Sequence, residues 1–225
     1  EKTCPYGAAS APEKEPAKVT PAMCHGCGTC VAECPTDAIT QMHFTDAQIM
    51  NQIRAALDRN PEEKILAFLC NWCSYAGADL AGTSRFEYPP TMRAIRVMCS
   101  GRVDRDFVLE ALRLGAGMVL VAACHLPYDC HYISGNVWMT KRMTALKGML
   151  EKLGMSPERL RVDYISAAEG VKFSEVNREM TAQLNTLGKD KIRAENAKLR
   201  PVLEKMLARK KAEAPIAVAT SAPKT

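Results

Sequence analysis

KILAFLCNWC (Lys64–Cys73) is a short apolar run that ends on a cysteine, with a second cysteine three residues later. An apolar run of this length without polar alternation reads as a strand buried on both faces, and such strands belong to parallel sheets. The pattern recurs in MRAIRVMC (Met92–Cys99) and GMVLVAAC (Gly117–Cys124), and RLRVDYIS (Arg159–Ser166) is a fourth strand-like run. Between them lie AGADLAGTS (Ala76–Ser84), a short helix or loop, and DRDFVLEALRLG (Asp104–Gly115), a helical pattern closed by glycine. NVWMTKRMTALKGMLEKLG (Asn136–Gly154) and AAEGVKFSEVNREMTAQLNTLG (Ala167–Gly188) are further helices of that kind. Strands alternating with helices imply crossover units and a mainly parallel α/β sheet of about four strands.

This reading has a consequence for the cysteines. Cys70, Cys99 and Cys124 end three strands, and Cys73 and Cys130 stand in the loops that follow. Parallel strands end on one edge of their sheet, where α/β folds bind ligands. Five thiols far apart in the chain are therefore expected to meet there. A competing reading takes CNWC alone, Cys70 with Cys73, as a thioredoxin-like redox dithiol. Cys99, Cys124 and Cys130 have no part in that chemistry.

Upstream, CHGCGTCVAECP (Cys24–Pro35) has the spacing C-x2-C-x2-C-x3-C-P of bacterial ferredoxins. Its first three thiolates bind three iron corners of one [4Fe–4S] cube, and the fourth serves a neighbouring cluster. Cys4-Pro5 precedes Cys34-Pro35 by thirty residues, and CPYGAAS aligns with CPTDAIT. The chain is thus expected to begin inside a first copy of the motif. Cys4 would then complete a [4Fe–4S] site with Cys24, Cys27 and Cys30. Cys34 would belong to a second [4Fe–4S] cluster whose other ligands are missing, and is expected to be free for alkylation. Zinc takes four ligands, and a five-cysteine pattern ending in Cys-Pro is not a usual zinc spacing.

The remainder sets bounds. The formal net charge is +5, and residues 188–213, with nine Lys/Arg and four Asp/Glu, carry all of the excess. No basic stripe crosses the folded part, so no nucleic-acid partner is expected. GAGMVLVAA is far short of the ~20 apolar residues of a membrane span. A cytoplasmic place, free or peripheral to a membrane complex, follows. Residues 1–44 form the expected ferredoxin-like domain. Residues 45–63 are a connector helix with a Thr45/Gln48 capping box and an apolar face at Ile49, Ile53, Ala56 and Leu57. Residues 64–187 are the βα domain, and 188–225 a charged helical, then disordered, tail.

CNWCSYAGADLAGTSRFEYPP, RVMCSGRVD, CHLPYDCHY and YISAAEGVKF resemble the delta subunit of the methyl-viologen-reducing hydrogenase, a small iron–sulfur protein that relays electrons between hydrogenase and heterodisulfide reductase. KVTPAMCHGCGTCVAECPTDAITQMHFTDAQI is similar to the C-terminal ferredoxin domain of the heterodisulfide reductase A-subunit. The resemblance implies one [2Fe–2S] cluster on four of the thiols Cys70, Cys73, Cys99, Cys124 and Cys130, without saying which is spare. It departs from the family in CHLPYDC, where five residues rather than four separate the last pair. The implied partners are heterodisulfide reductase subunits and hydrogenase or formate dehydrogenase subunits, with FAD in a missing N-terminal part or on a partner. Catalytic residues are not expected in this chain. A quinone-interacting membrane-bound oxidoreductase subunit resembles the same fusion. Trp72, inside CNWC, is expected to shield the second cluster, and Phe86 and Tyr88 either to dock a partner or to cap the local core.

Overall fold

The computed structural model describes residues 2–12 and 15–213. The Cys- and Pro-rich beginning contains a short antiparallel pair, β1 (Ala9–Ser10) with β2 (Lys18–Val19), and one short helix, α1 (Thr29–Ala32). Gly28 caps α1 with a φ of 77°, a left-handed conformation that glycine adopts without strain.

Helix α2 (Asp46–Ala56) starts at the expected capping box. The Gln48 N–H donates to Thr45 Oγ1 at 3.2 Å, and the Thr45 N–H donates to Gln48 Oε1 at 3.0 Å. Sequence reading makes this segment a connector, but the structure packs it into the core. Ile49 and Ile53 are fully buried, in one cluster with Phe68, Val97 and Phe107. Burying each isoleucine contributes roughly 1.5–3 kcal/mol. That contact stabilises a helix too short to persist alone.

The sheet is built from β3 (Ile65–Cys70), β4 (Met92–Val97), β5 (Met118–Ala123) and β6 (Leu160–Tyr164), all parallel, in the order β4-β3-β5-β6. Helices α3 (Ser74–Thr83), α4 (Arg105–Arg113), α5 (Gly135–Lys152) and α6 (Gly170–Leu187) alternate with or follow the strands. The two-residue period of the strands divides the core. Leu66, Phe68, Val119 and Val121 face the cluster built with α2, α4 and α5. Ile65, Ala67, Leu69, Leu120 and Ala122 face the cluster with α3 and α6. Both faces of β3 and β5 are covered, which is why neither strand contains a polar residue. The chain passes from β3 to β4 on one side and then to β5 on the other. The strand order therefore reverses between β3 and β5, and the crevice beyond their C-terminal ends is where such sheets bind ligands.

Helix α7 (Lys189–Glu213) reads from composition as a solvated tail. In the structure it closes the opposite edge of the sheet. Ile192, Leu199 and Leu203 are buried, an apolar stripe at helical spacing hidden among lysines and arginines. Arg159, fully buried ahead of β6, donates to the Ala116 carbonyl at 2.7 Å, the Gly117 carbonyl at 2.9 Å, Glu195 at 3.0 Å and Asn196 at 2.6 Å. The expected disordered end, residues 214–225, lies outside the described residues. Tyr88 packs edge-on against Phe173 at 5.6 Å, so it caps the core beside α6. Among the described residues no helix is long and apolar enough to cross a membrane.

Candidate metal centres

The five thiols of the βα domain meet at the crevice. Cys70 is the last residue of β3, and Cys124 follows β5. Their Sγ atoms are 3.9 Å apart. Cys99, beyond β4, is 3.8 Å from Cys130, which the Cys124–Cys130 loop returns to the site despite its extra residue. Cys73, at the start of α3, accepts from Cys124 at 2.9 Å. All five are buried, and Cys130 is the most exposed at 7%. Backbone contacts fix the frame. The Cys70 N–H donates to Ser74 Oγ at 2.8 Å, and Ser74 Oγ donates to the Ala122 carbonyl at 3.0 Å, bridging β3 and β5. Asn136 Nδ2 holds the carbonyls of Cys124 and His125 at 3.4 and 2.8 Å.

Thiols this close share protons. Hydrogen bonds from Cys124, Cys73 and Cys99 drive the Cys70 thiol far down, and those from Cys124 and Cys99 hold Cys130 at about 3. Cys99 and Cys124 are pushed up, first by their bonds to Cys130, then by Cys70 and burial. The bond with Cys124 lowers Cys73, but Cys70 and burial raise it further, and the net shift is upward. The result is a buried nest of thiolates and donor thiols. Among the described residues, Cys70, Cys73 and Cys124 form the group of three whose Sγ atoms all lie within 4.8 Å of one another. This soft donor set suits an iron–sulfur cluster.

In the N-terminal region, Cys4, Cys24, Cys27 and Cys30 line one pocket with Tyr6, Ala8, Val19 and His25. Burial, followed by the charges of Cys27, Cys24 and Cys4, raises Cys30. Four converging thiols around one space fit a [4Fe–4S] cluster. Cys34 stands apart, in a groove with Glu33, Arg105, Trp138 and Lys141. The thirty-residue repeat is nonetheless visible in three dimensions. Burial opposes ionisation of Cys4, but the backbone N–H groups of Tyr6, Ala9, Ala8 and Gly7 outweigh it and lower its pKa. At Cys34, burial is likewise outweighed by the Thr36 hydroxyl and the N–H groups of Thr36, Ala38 and Ile39. Both Cys-Pro cysteines thus sit in the same kind of N–H cradle.

The two thiol sites abut. Tyr6 and Cys27 pack against the cluster of Cys99, Cys130 and Tyr132. Between the two regions the fit is close: a Cβ on Gly101 would lie 2.2 Å from Thr29 Oγ1. Two arginines lock the contact. Arg102, fully buried, donates to the Phe44 carbonyl at 3.0 Å and pairs with Asp46. Arg142 donates to the carbonyls of Gly101 at 2.7 Å and Val103 at 3.0 Å, and pairs with Glu33. Sequence reading missed Tyr6, Tyr132, Arg102 and Arg142. The one signal available was that each tyrosine stands two residues after a cysteine.

The histidines turn to other partners. His25 stacks on Tyr6, with ring centroids 3.9 Å apart. His125 bonds Glu169 at 2.6 Å. His131 stacks on Trp72 at 3.9 Å. Trp72 itself is 44% exposed and donates its indole N–H to Tyr132 Oη at 2.9 Å. It is a rim residue rather than a full cover over the thiols.

A parallel α/β sheet with a thiol nest on its edge, joined to a ferredoxin-type loop, defines an iron–sulfur protein. Residues 17–40 match the family described as 4Fe-4S binding domain. Residues 65–188 match the family described as methyl-viologen-reducing hydrogenase, delta subunit, and the chain belongs to that family. It is 48% identical over 127 residues to the iron-sulfur D-subunit of the F420-non-reducing hydrogenase of Archaeoglobus profundus, covering 56% of this chain and 92% of that one. It is 47% identical over 202 residues to the A-subunit of the ferredoxin:CoB-CoM heterodisulfide reductase of Methanosarcina mazei, covering 76% of this chain. The match spans about a quarter of that protein's length (25%), as it does for the Methanosarcina acetivorans counterpart.

Proposed function

We propose that this chain is an electron-relay segment with one [4Fe–4S] cluster on Cys4, Cys24, Cys27 and Cys30 and one [2Fe–2S] cluster in the five-thiol nest. Cys34 is reserved for a second [4Fe–4S] cluster completed by residues outside this chain. The observation that carries the reading is the contact of Tyr6 and Cys27 with Cys99, Cys130 and Tyr132, which brings a thiol of one site against thiols of the other. Bound clusters at such sites supply one-electron redox steps. The chain's own residues hold the thiolates, exclude water and fix the separation. Arg142 does the last by pairing with Glu33 of the ferredoxin-like loop while it holds the Gly101 carbonyl, and Arg102 ties Phe44 and Asp46 to the sheet edge.

The relatives' names suggest a hydrogenase and a heterodisulfide reductase as the ends of the path; formate dehydrogenase and FAD are part of the proposal. The electron donor is a hydrogenase or formate dehydrogenase, and the acceptor a heterodisulfide reductase-type flavoprotein carrying FAD, in a cytoplasmic complex. The test is anaerobic reconstitution of the full chain, with iron and acid-labile sulfide analysis and EPR of the partly reduced protein. One cluster of each type is expected, with distinct signals. A chain that binds no iron and titrates only as a dithiol/disulfide couple would refute the proposal in favour of a thioredoxin-like reading.

A further inference from the structure

We infer that Cys73 is the thiol the second site does not use as a ligand, and that Cys70 with Cys124 and Cys99 with Cys130 are the two iron-holding pairs. The inference rests on the [2Fe–2S] reading above and deepens it.

Two thiolates on one tetrahedral metal, at bonds of about 2.3 Å, stand about 3.8 Å apart. Cys70–Cys124 at 3.9 Å and Cys99–Cys130 at 3.8 Å have that separation. The pairs face each other, since Cys70 also interacts with Cys99 and Cys124 with Cys130. Two such pairs side by side would hold two irons, one pair to each. Cys73 lies beside the first pair, within 4.8 Å of both Cys70 and Cys124. Its sulfur is 2.9 Å from Cys124, too close for both to bind one iron at that angle and too far for a disulfide bond.

The backbone explains the pairing. Cys70 and Cys124 end adjacent parallel strands, so β-sheet spacing sets their approach. Cys73 lies past the strand end, at the residue before α3. The C-x-x-C spacing suggests Cys70 and Cys73 as partners, but the strand order pairs Cys70 with Cys124. Beside a liganded Cys124, the Cys73 thiol becomes a hydrogen-bond donor to the ligand sulfur. Such a bond favours the more negative, reduced state of the site.

The test is a set of single alanine variants at the five positions, plus Cys73→Ser, in the full chain reconstituted anaerobically. Readouts are second-site iron, the [2Fe–2S] EPR signal and the midpoint potential. Cys73→Ala is expected to keep the iron and the signal but to shift the potential negative, and Cys73→Ser, which retains a donor, to shift it less. Alanine at Cys70, Cys99, Cys124 or Cys130 is expected to abolish the signal. Loss of the signal in both Cys73 variants, or full retention of it in any of the other four, overturns the assignment. A signal missing from the unsubstituted chain overturns the [2Fe–2S] reading, and the assignment with it.

Discussion

Gly135, the first residue of α5, sets the position of two thiols. A methyl group built on it would stand 2.2 Å from Cys99 Sγ, 3.4 Å from Cys130 Sγ and 3.5 Å from Thr29 Oγ1. The last two contacts are tolerable. Cys99 would have to retreat from 2.2 Å to at least 3.4 Å, and it is fully buried with no room to do so alone. Two residues on, Gly101 is itself pressed against Thr29 and Gly135. Overpacking of this kind costs about 1–3 kcal/mol. In a chain of this size each kcal/mol lowers Tm by roughly 2–4 °C. A metal-binding constellation tolerates displacements of only about 0.5 Å. Gly135→Ala is therefore expected to fold, to melt lower and to lose second-site iron, while Cys4, Cys24, Cys27 and Cys30 retain theirs. Gly148, on the same helix, is the control. Nothing lies within 4 Å of its added methyl, so Gly148→Ala should keep both sites and gain up to about 1 kcal/mol. Paired melting curves and iron analyses decide the matter. Full iron at both sites and an unchanged Tm in Gly135→Ala would refute the close approach.

Three further outcomes are expected. Leu203→Ala should cost about 2–5 kcal/mol in urea denaturation, because α7 is part of the core; a solvated tail would show almost no change. Arg113, then Arg54, holds the Glu110 carboxyl below its usual value of 4.5, against burial. The stability this contributes is present above that value and lost as pH falls through the lower folded pKa. The difference in urea midpoint between the native chain and Glu110→Gln should therefore be full at neutral pH and shrink in acid; a difference that grows in acid contradicts the pairing. In the iron-loaded chain, iodoacetamide should label Cys34, whose thiolate is favoured by the N–H groups around it, and spare Cys4; equal labelling of the two refutes the ligand assignment.

The sequence by itself determined the four strands, the helices between them and the meeting of five thiols on one edge. These follow from local pattern, since apolar runs without alternation need two covered faces and parallel strands end together. The spacing from Cys24 to Cys30 and its echo at Cys4 pointed, through short-range geometry, to the one pocket that these four cysteines line. Only the tertiary structure decided the rest. Charges on α7 hid the Ile192–Leu199–Leu203 stripe, and α2 read as a linker because nothing local names the surface that buries Ile49 and Ile53. Tyr6 meets Tyr132 only after the whole domain has folded, and Arg102 and Arg142 find their carbonyl partners the same way. Chain order places Cys70 beside Cys73, whereas the sheet places it beside Cys124, because β3 lies between β4 and β5. Spacing along the chain constrains neighbours a few residues apart; contacts between strands depend on the order in which the sheet is assembled.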